Sequence, residues 1–163
     1  MNAQFWVGVI AASVALLALI SSSVSAARAR VKTIEDAYIV RYWHILDRFP
    51  APALVAMDGT VCTAEELRAV RLYLRLCEDE LELRALGWVS RETWKQWRPG
   101  IRVQLNQWPV AAEWALIRDG HRAPHQFHLL RALDATPDDA VPPYDPYRPR
   151  RYIGCLTRRW RGL

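Results

Sequence analysis

The sequence predicts an all-α protein with one N-terminal transmembrane helix, a small helical bundle after it and a Pro/Arg-rich extended C-terminal tail. Three observations predict this fold class. The N-terminus is a long uncharged apolar run, the middle of the chain has apolar residues at helical spacing, and prolines and arginines accumulate at the end. The expected divisions are an anchor at residues 1–27, a helical cytoplasmic domain at 28–135, and a Pro-rich linker with a basic tail at 136–163.

The N-terminal segment has the length and composition of a membrane span. Residues 5–24 form one apolar run, which as a helix would measure roughly 30 Å, the thickness of the hydrocarbon layer. Arg28, Arg30 and Lys32 follow it, and no charged residue precedes it. The positive-inside rule therefore predicts an N-terminus outside the cell and a C-terminal domain in the cytoplasm, with the helix in the inner membrane.

A cleaved signal peptide is the alternative interpretation of this segment. Val24 and Ala26 are the small residues that signal peptidase prefers at positions −3 and −1. Against cleavage, the segment before the apolar run has no Lys or Arg, and the run is longer than a usual signal-peptide core.

The anchor is expected to continue as a helix beyond the bilayer. Residues 26–49 contain no Gly or Pro, and Pro50 and Pro52 then end the helical pattern. The apolar residues of the second half recur at spacings of three and four, as in an amphipathic helix: Val31, Ile34, Tyr38, Tyr42, Ile45 and Phe49. Asp58-Gly59 is a turn dipeptide in the loop that follows.

The best-marked helix of the bundle is predicted at residues 64–86. Thr63 and Glu66 have the spacing of a capping box, and Gly87 is the expected C-terminal residue. Its main apolar face comprises Leu67, Val70, Leu74, Cys77, Leu81 and Ala85. A second, nearly opposite face comprises Leu72, Leu76 and Leu83. A helix that is apolar on two sides is expected at the centre of its bundle.

Three shorter helices are predicted after it. Ser90 is the expected cap of the first, which would be kinked or broken at Pro99-Gly100. Its apolar face comprises Trp94, Trp97, Ile101, Leu105 and Trp108. The other two are expected at about residues 109–118 and 125–133. Five prolines between residues 136 and 149 then predict an extended linker.

A stripe of small residues follows one face of the anchor. Spacings of three and four separate Gly8, Ala11, Ala15, Ala18 and Ser22, and the stripe continues through Ser25 and Ala29. In lipid, small residues at such spacing allow two helices to approach closely. The stripe therefore predicts that the anchor packs against a membrane-protein partner or a second copy of itself, although an Ala- and Ser-rich segment also produces such a stripe by composition alone.

The basic charge of the chain is concentrated in its tail. The net charge is +5 and the tail contributes +6, so the remainder sums to −1. The predicted contact residues are Arg148, Arg150, Arg151, Arg158, Arg159, Trp160 and Arg161. An anionic membrane surface, a nucleic acid or a partner protein would each suit them, and we favour membrane lipid over nucleic acid.

Other residues that could carry chemistry also have structural interpretations. The eight tryptophans suit a bundle core better than a base-stacking platform. One interpretation of the acidic run on the predicted 64–86 helix is acid-base catalysis or metal binding by Glu78, Asp79, Glu80 and Glu82. The structural interpretation is that Arg75/Asp79 and Glu80/Arg84 are solvated helix pairs and that Glu78 is partly buried beside Arg71. Likewise, zinc or copper binding is one interpretation of His121, His125 and His128, and the other is that they are surface histidines around a turn.

No nucleotide, hydrolase or zinc-protease motif occurs in the chain, and the sequence gives no reason to expect a cofactor. The three cysteines are scattered, which fits a reducing compartment better than a disulfide framework.

The sequence resembles uncharacterised bacterial proteins that have one N-terminal membrane helix and a helical cytoplasmic domain. The residues that carry the resemblance lie between about 30 and 110: Arg41-Tyr42-Trp43 with Leu46, residues 76–80, and residues 87–90 leading into Trp94. This resemblance implies a bacterial membrane protein, and it implies no activity, cofactor or site residue.

The expected function is that of a membrane-tethered, non-enzymatic interaction protein, such as an accessory subunit or scaffold of a membrane complex. The alternative is a membrane-bound regulator that binds anionic lipid or nucleic acid through the arginine-rich tail. A small enzyme without a recognisable motif is the third possibility.

Overall fold

The structure, a computed structural model, describes residues 3–59, 61–120, 126–137 and 140. Within these ranges the regular structure is helical and no strand occurs, which confirms the all-α prediction. The α-helices of the described residues are α1 (Ala3–Leu46), α2 (Ala64–Leu86), α3 (Arg91–Leu105), α4 (Val110–Asp119) and α5 (His128–Asp134), and a short 3₁₀ helix (Ala51–Val55) lies between α1 and α2.

Helix α1 is unbroken over 44 residues and joins two different environments. Residues 4–30 are exposed throughout, and the helix is long and apolar enough to cross a membrane. From residue 31 onward the predicted apolar stripe is buried or half-buried against the bundle. The helix ends at Leu46, three residues earlier than predicted, and the Phe49 amide donates to the Leu46 carbonyl in a turn before Pro50.

Helix α2 is the centre of the bundle, as its two apolar faces predict. The Thr63 hydroxyl accepts from the Glu66 amide, and the Glu66 carboxylate accepts from the Thr63 amide at 2.7 Å, which completes the capping box. Gly87 ends the helix at a φ of 82°, which favours glycine. The helix packs against α1, α4 and α5. On its second face Leu76 is buried and Leu83 half-buried, but Leu72 stays exposed.

Helix α3 runs through Pro99-Gly100, so of the predicted kink or break, the break does not occur. Proline lacks an amide proton, but both residues are exposed, where water can satisfy the freed carbonyl group. Trp94 and, on α4, Trp114 are buried in the core, which supports the structural interpretation of these two tryptophans. Trp6 and Trp43 are exposed.

Gly59 is required by the packing of the loop between α1 and α2. A Cβ atom at this position would lie 2.3 Å from an atom of the Trp108 ring, far closer than carbon atoms approach. The loop therefore lies against the connection between α3 and α4, where the Trp108–Pro109 peptide bond is cis. The turn dipeptide is needed here for space rather than for an unusual φ.

The beginning of the predicted linker is bound to α3. Arg98 donates to the carbonyl oxygens of Pro137 (3.1 Å) and Ala140 (2.7 Å). Arg102 donates to the carbonyls of Leu133 and Thr136. Residues 141–163 lie outside the described part of the chain.

Candidate functional site

The predicted packing face of the anchor is fully exposed. Gly8, Ala11, Ala15, Ala18 and Ser22 all lie on the continuous helix α1, and their spacing places them on one side of it. A Cβ atom at Gly8 would meet no other atom within 4 Å. The bundle therefore leaves this face uncovered. The predicted tail residues Arg148, Arg150, Arg151, Arg158, Arg159, Trp160 and Arg161 lie outside the described residues.

A group of polar residues lies between α1 and the bundle, and we call it the seam: Glu35, Arg41, Asp79, Glu80, Arg84 and Ser90. Glu35 is buried within the apolar stripe of α1, and its carboxylate accepts the Ser90 amide at 2.6 Å. Ser90 is the N-cap of α3, and its hydroxyl accepts from the Thr93 amide at 3.1 Å. A carboxylate at a helix N-terminus is stabilised by the unpaired amides and the helix dipole, so Glu35 ties α1 to the start of α3.

The outer edge of the seam is an ion-pair chain that joins α1 to α2. Arg41 Nη1 lies 3.2 Å from Asp79 Oδ2, and Arg75 Nε lies 3.7 Å from Asp79 Oδ1. The second contact confirms the predicted Arg75/Asp79 pair. Asp79 is only 26 % exposed, so its charge is partly shielded from water and is shared by the two guanidinium groups. Such partly buried pairs define the position of one helix on another more than they add stability.

The centre of the seam contains a buried carboxyl group, that of Glu80, which is 6 % exposed. Burial, and after it the nearby negative charge of Asp79, raise the pKa of Glu80 to about 8, although the positive charge of Arg41 opposes them. Burial also raises the pKa of the neighbouring Cys77 thiol and Tyr73 hydroxyl well above their ordinary values. Glu80 is therefore a group that gains or loses a proton near neutral pH.

Arg84 completes the seam at the α2–α3 corner. It is 2 % exposed and donates to the carbonyl oxygens of Val89 (3.0 Å) and Ser90 (3.2 Å), while its guanidinium group lies 5.6 Å from the centre of the Trp94 ring. Glu80 and Arg84 are thus both buried residues. The prediction that this side of α2 is solvated is therefore wrong, because both side chains are buried.

Glu78 also has a structural role, but not the predicted one. Its two carboxylate oxygens accept the amides of Leu129 (3.1 Å) and Leu130 (2.8 Å) in the first turn of α5. The predicted neighbour Arg71 instead pairs with Glu113 of α4 at 2.5 Å. Glu78 therefore binds α5 to α2 by accepting amide protons that the short helix leaves unpaired.

The histidine cluster is only partly described. His121 and His125 lie outside the described residues, and His128 Nδ1 lies 3.2 Å from Glu78 Oε1. In the ranges that the structure covers, no group of three His, Cys, Asp or Glu side chains is arranged to hold a metal ion.

The seam was only partly predictable from the sequence. Glu35 was missed, although a single carboxylate inside an otherwise apolar helical stripe is a signal for a buried polar contact. The arrangement holds helices together. No family model, curated protein or solved structure was found to match this chain. Its function is therefore argued from the geometry alone.

Proposed function

We propose that this chain is a membrane-tethered, non-enzymatic interaction protein, an accessory subunit or scaffold of a membrane complex. The observation that carries the proposal is helix α1, whose exposed apolar first part continues without interruption into a second part that packs into the bundle. One rigid element then serves as both anchor and stalk. A bundle on such a stalk is held at a fixed distance from the bilayer, which suits a protein that positions a binding surface.

The seam supports the rigidity of this connection. Glu35 and Arg41 of α1 contact Ser90 and Asp79 of the bundle over two turns of the helix. An enzyme would need a site that a substrate can enter, whereas Glu35 is occupied by a backbone amide and Glu80 is buried. These contacts favour a mechanical role for the polar residues over a catalytic one.

We propose that the anchor lies in the inner membrane with its N-terminus outside and the bundle in the cytoplasm. Arg28 and Arg30 follow the apolar run and are exposed, so they can contact anionic lipid headgroups. Lys32 lies 3.1 Å from Asp36, so its charge is partly compensated.

The anchor is proposed to associate through its small-residue face, with a membrane-protein partner or with a second copy. The support is that this face is exposed along the whole length of the predicted span. In lipid, close packing of such faces is a main source of helix association, because the lipid itself gives no hydrophobic driving force.

The test is association of the full chain in lipid vesicles and its co-purification from membranes. Substituting leucine at Ala11, Ala15 and Ala18 should abolish association, because the larger side chains keep the helix backbones apart. A matched control carries three leucines on the opposite face, at Val9, Ser13 and Ile20. Equal association of both triple variants would contradict a packing role for the small-residue face.

The arginine-rich tail supports a second proposal, binding to anionic lipid. Six arginines without an acidic residue occur between residues 148 and 163, and each basic group near an anionic surface contributes on the order of 1 kcal/mol. Deleting residues 148–163 should remove salt-sensitive binding to anionic vesicles. Loss of binding to an oligonucleotide instead would assign the tail to nucleic acid.

A further inference from the structure

A groove of about 340 Å³ lies beside the α1–α2 contact, and it shares Arg41 with the seam. Five of its lining residues come from α1, one from the turn that follows α1 and one from α2: Ala37, Val40, Arg41, His44 and Ile45, then Arg48, then Leu72. None of the seven is acidic. The groove therefore combines an apolar surface with basic groups that no acidic lining residue balances.

Two basic groups of the groove lie one turn apart at the end of α1, and the third lies in the turn that follows it. Arg41, His44 and Arg48 are separated by three and four residues and together line the groove, so they form a row of basic groups along it. Arg41 is partly engaged by Asp79, which Arg75 also contacts. The described part of the chain offers no ion-pair partner to His44 or Arg48, and both are exposed.

The apolar part of the groove is also uncovered. Val40 is 56 % exposed and Leu72 is 36 % exposed, while Ile45 lies buried beneath them. Leu72 belongs to the second apolar face of α2, which the sequence pattern predicts to be packed. An apolar side chain from outside would remove both Val40 and Leu72 from water, and such burial is favourable by about 25 cal/mol for each Å².

The position of the groove on the stalk argues against lipid as the occupant. Arg41 lies 17 residues beyond Val24, the last residue of the apolar run, which corresponds to about 25 Å along the helix axis. At physiological ionic strength, electrostatic attraction falls off over about 8 Å. A groove on a stalk that stands along the membrane normal is therefore out of reach of lipid headgroups.

We propose that the groove binds an acidic, amphipathic helical segment of a partner protein. Carboxylates one helical turn apart on the segment would face the row of Arg41, His44 and Arg48, and an apolar residue between them would contact Val40 and Leu72. The assignment follows from the charge complementarity and the matching spacing. It rests on the proposed interaction function, and it names the class of partner that the cytoplasmic surface recognises.

The experiment uses the full chain in nanodiscs of zwitterionic lipid and a fluorescent, hydrocarbon-stapled peptide of four helical turns. The peptide carries glutamates along one face with leucines between them, and a second peptide replaces each glutamate with glutamine. Fluorescence anisotropy should show salt-sensitive binding of the first peptide and at least tenfold weaker binding of the second.

A charge reversal at the groove identifies the site. Arg48→Glu should weaken binding of the acidic peptide at least tenfold, whereas Lys95→Glu, a matched reversal at an exposed position of α3, should leave it unchanged. An unchanged urea midpoint for Arg48→Glu would show that the bundle is still folded. Equal binding of the two peptides, or equal loss in both variants, would overturn the proposal.

Other occupants would give different results. A single-stranded oligonucleotide that binds more tightly than the peptide would replace the protein partner with a nucleic acid. If changing Asp138, Asp139 and Asp145 to asparagine raises the peptide affinity more than tenfold, the chain's own linker occupies the groove and the proposal fails. Because these assays do not depend on the small-residue face of the anchor, they can fail while anchor association persists.

Discussion

Replacing Glu80 with glutamine should remove most of the loss of bundle stability between pH 5 and pH 9 that Glu80 causes. Glutamine has the shape of the protonated carboxyl group but cannot ionise. Glu80 is 6 % exposed, and burial, followed by the charge of Asp79, raises its pKa from the ordinary value of 4.5 to about 8. Near neutral pH the folded protein therefore holds a proton on Glu80, and this proton is released when the chain unfolds.

The sign and size of the effect follow from this difference in pKa. Because the pKa is higher in the folded state, the stabilising contribution is fully present below pH 4.5 and is lost as the pH rises through about 8. Each unit of difference corresponds to about 1.4 kcal/mol. Between pH 5 and pH 9 the wild-type bundle should lose on the order of 4 kcal/mol through this group, a large part of a typical domain stability of about 5–15 kcal/mol.

The assay is urea unfolding of the full chain in uncharged detergent micelles, followed by tryptophan fluorescence at pH 5, 7 and 9. The wild type should lose stability with rising pH, and Glu80→Gln should be the more stable protein at pH 9. Glu82→Gln is the matched control, since Glu82 is an exposed residue of the same helix. Parallel pH profiles for the wild type and Glu80→Gln would refute the argument.

Three further substitutions test the packing of the bundle, each by the free energy of unfolding in urea. Glu78→Ala removes the acceptor of two amides in α5 and should cost about 2–3 kcal/mol, and a loss no larger than that of the exposed control Glu82→Ala would contradict this role. Gly59→Ala forces a Cβ atom into the Trp108 ring and should cost about 1–3 kcal/mol; an unchanged stability would show that the loop moves aside freely. Gly100→Ala meets no other atom within 4 Å inside α3 and should stabilise the bundle by about 0.5–1 kcal/mol, so a destabilisation would be inconsistent with the helix running through this position.

The fold could be predicted where the signal is local. Thr63, Glu66 and Gly87 mark both ends of α2 because capping depends on residues within one turn of each end. The buried stripe of α1 follows from its period alone. At Pro99 the local signal does not end the helix, since the helix tolerates a missing amide at an exposed position.

The seam was harder to predict because its contacts join distant parts of the chain. Glu35 and Ser90 are 55 residues apart, and nothing near either residue in the sequence specifies the other. Glu80 and Arg84 have the spacing of a solvated helix pair, but burial is decided by which helices cover that side of α2. The same reason explains Glu78, whose amide partners come from α5, and Arg71, whose partner comes from α4.

Protease accessibility of the full chain in intact bacterial spheroplasts tests the membrane tether most directly. An epitope is placed at the C-terminus, and protease is added outside before and after lysis with detergent. A tethered bundle on the cytoplasmic side predicts an epitope that stays in the membrane fraction, survives in intact spheroplasts and is digested after lysis. Digestion in intact spheroplasts, or recovery of the epitope in the soluble fraction, would contradict the account.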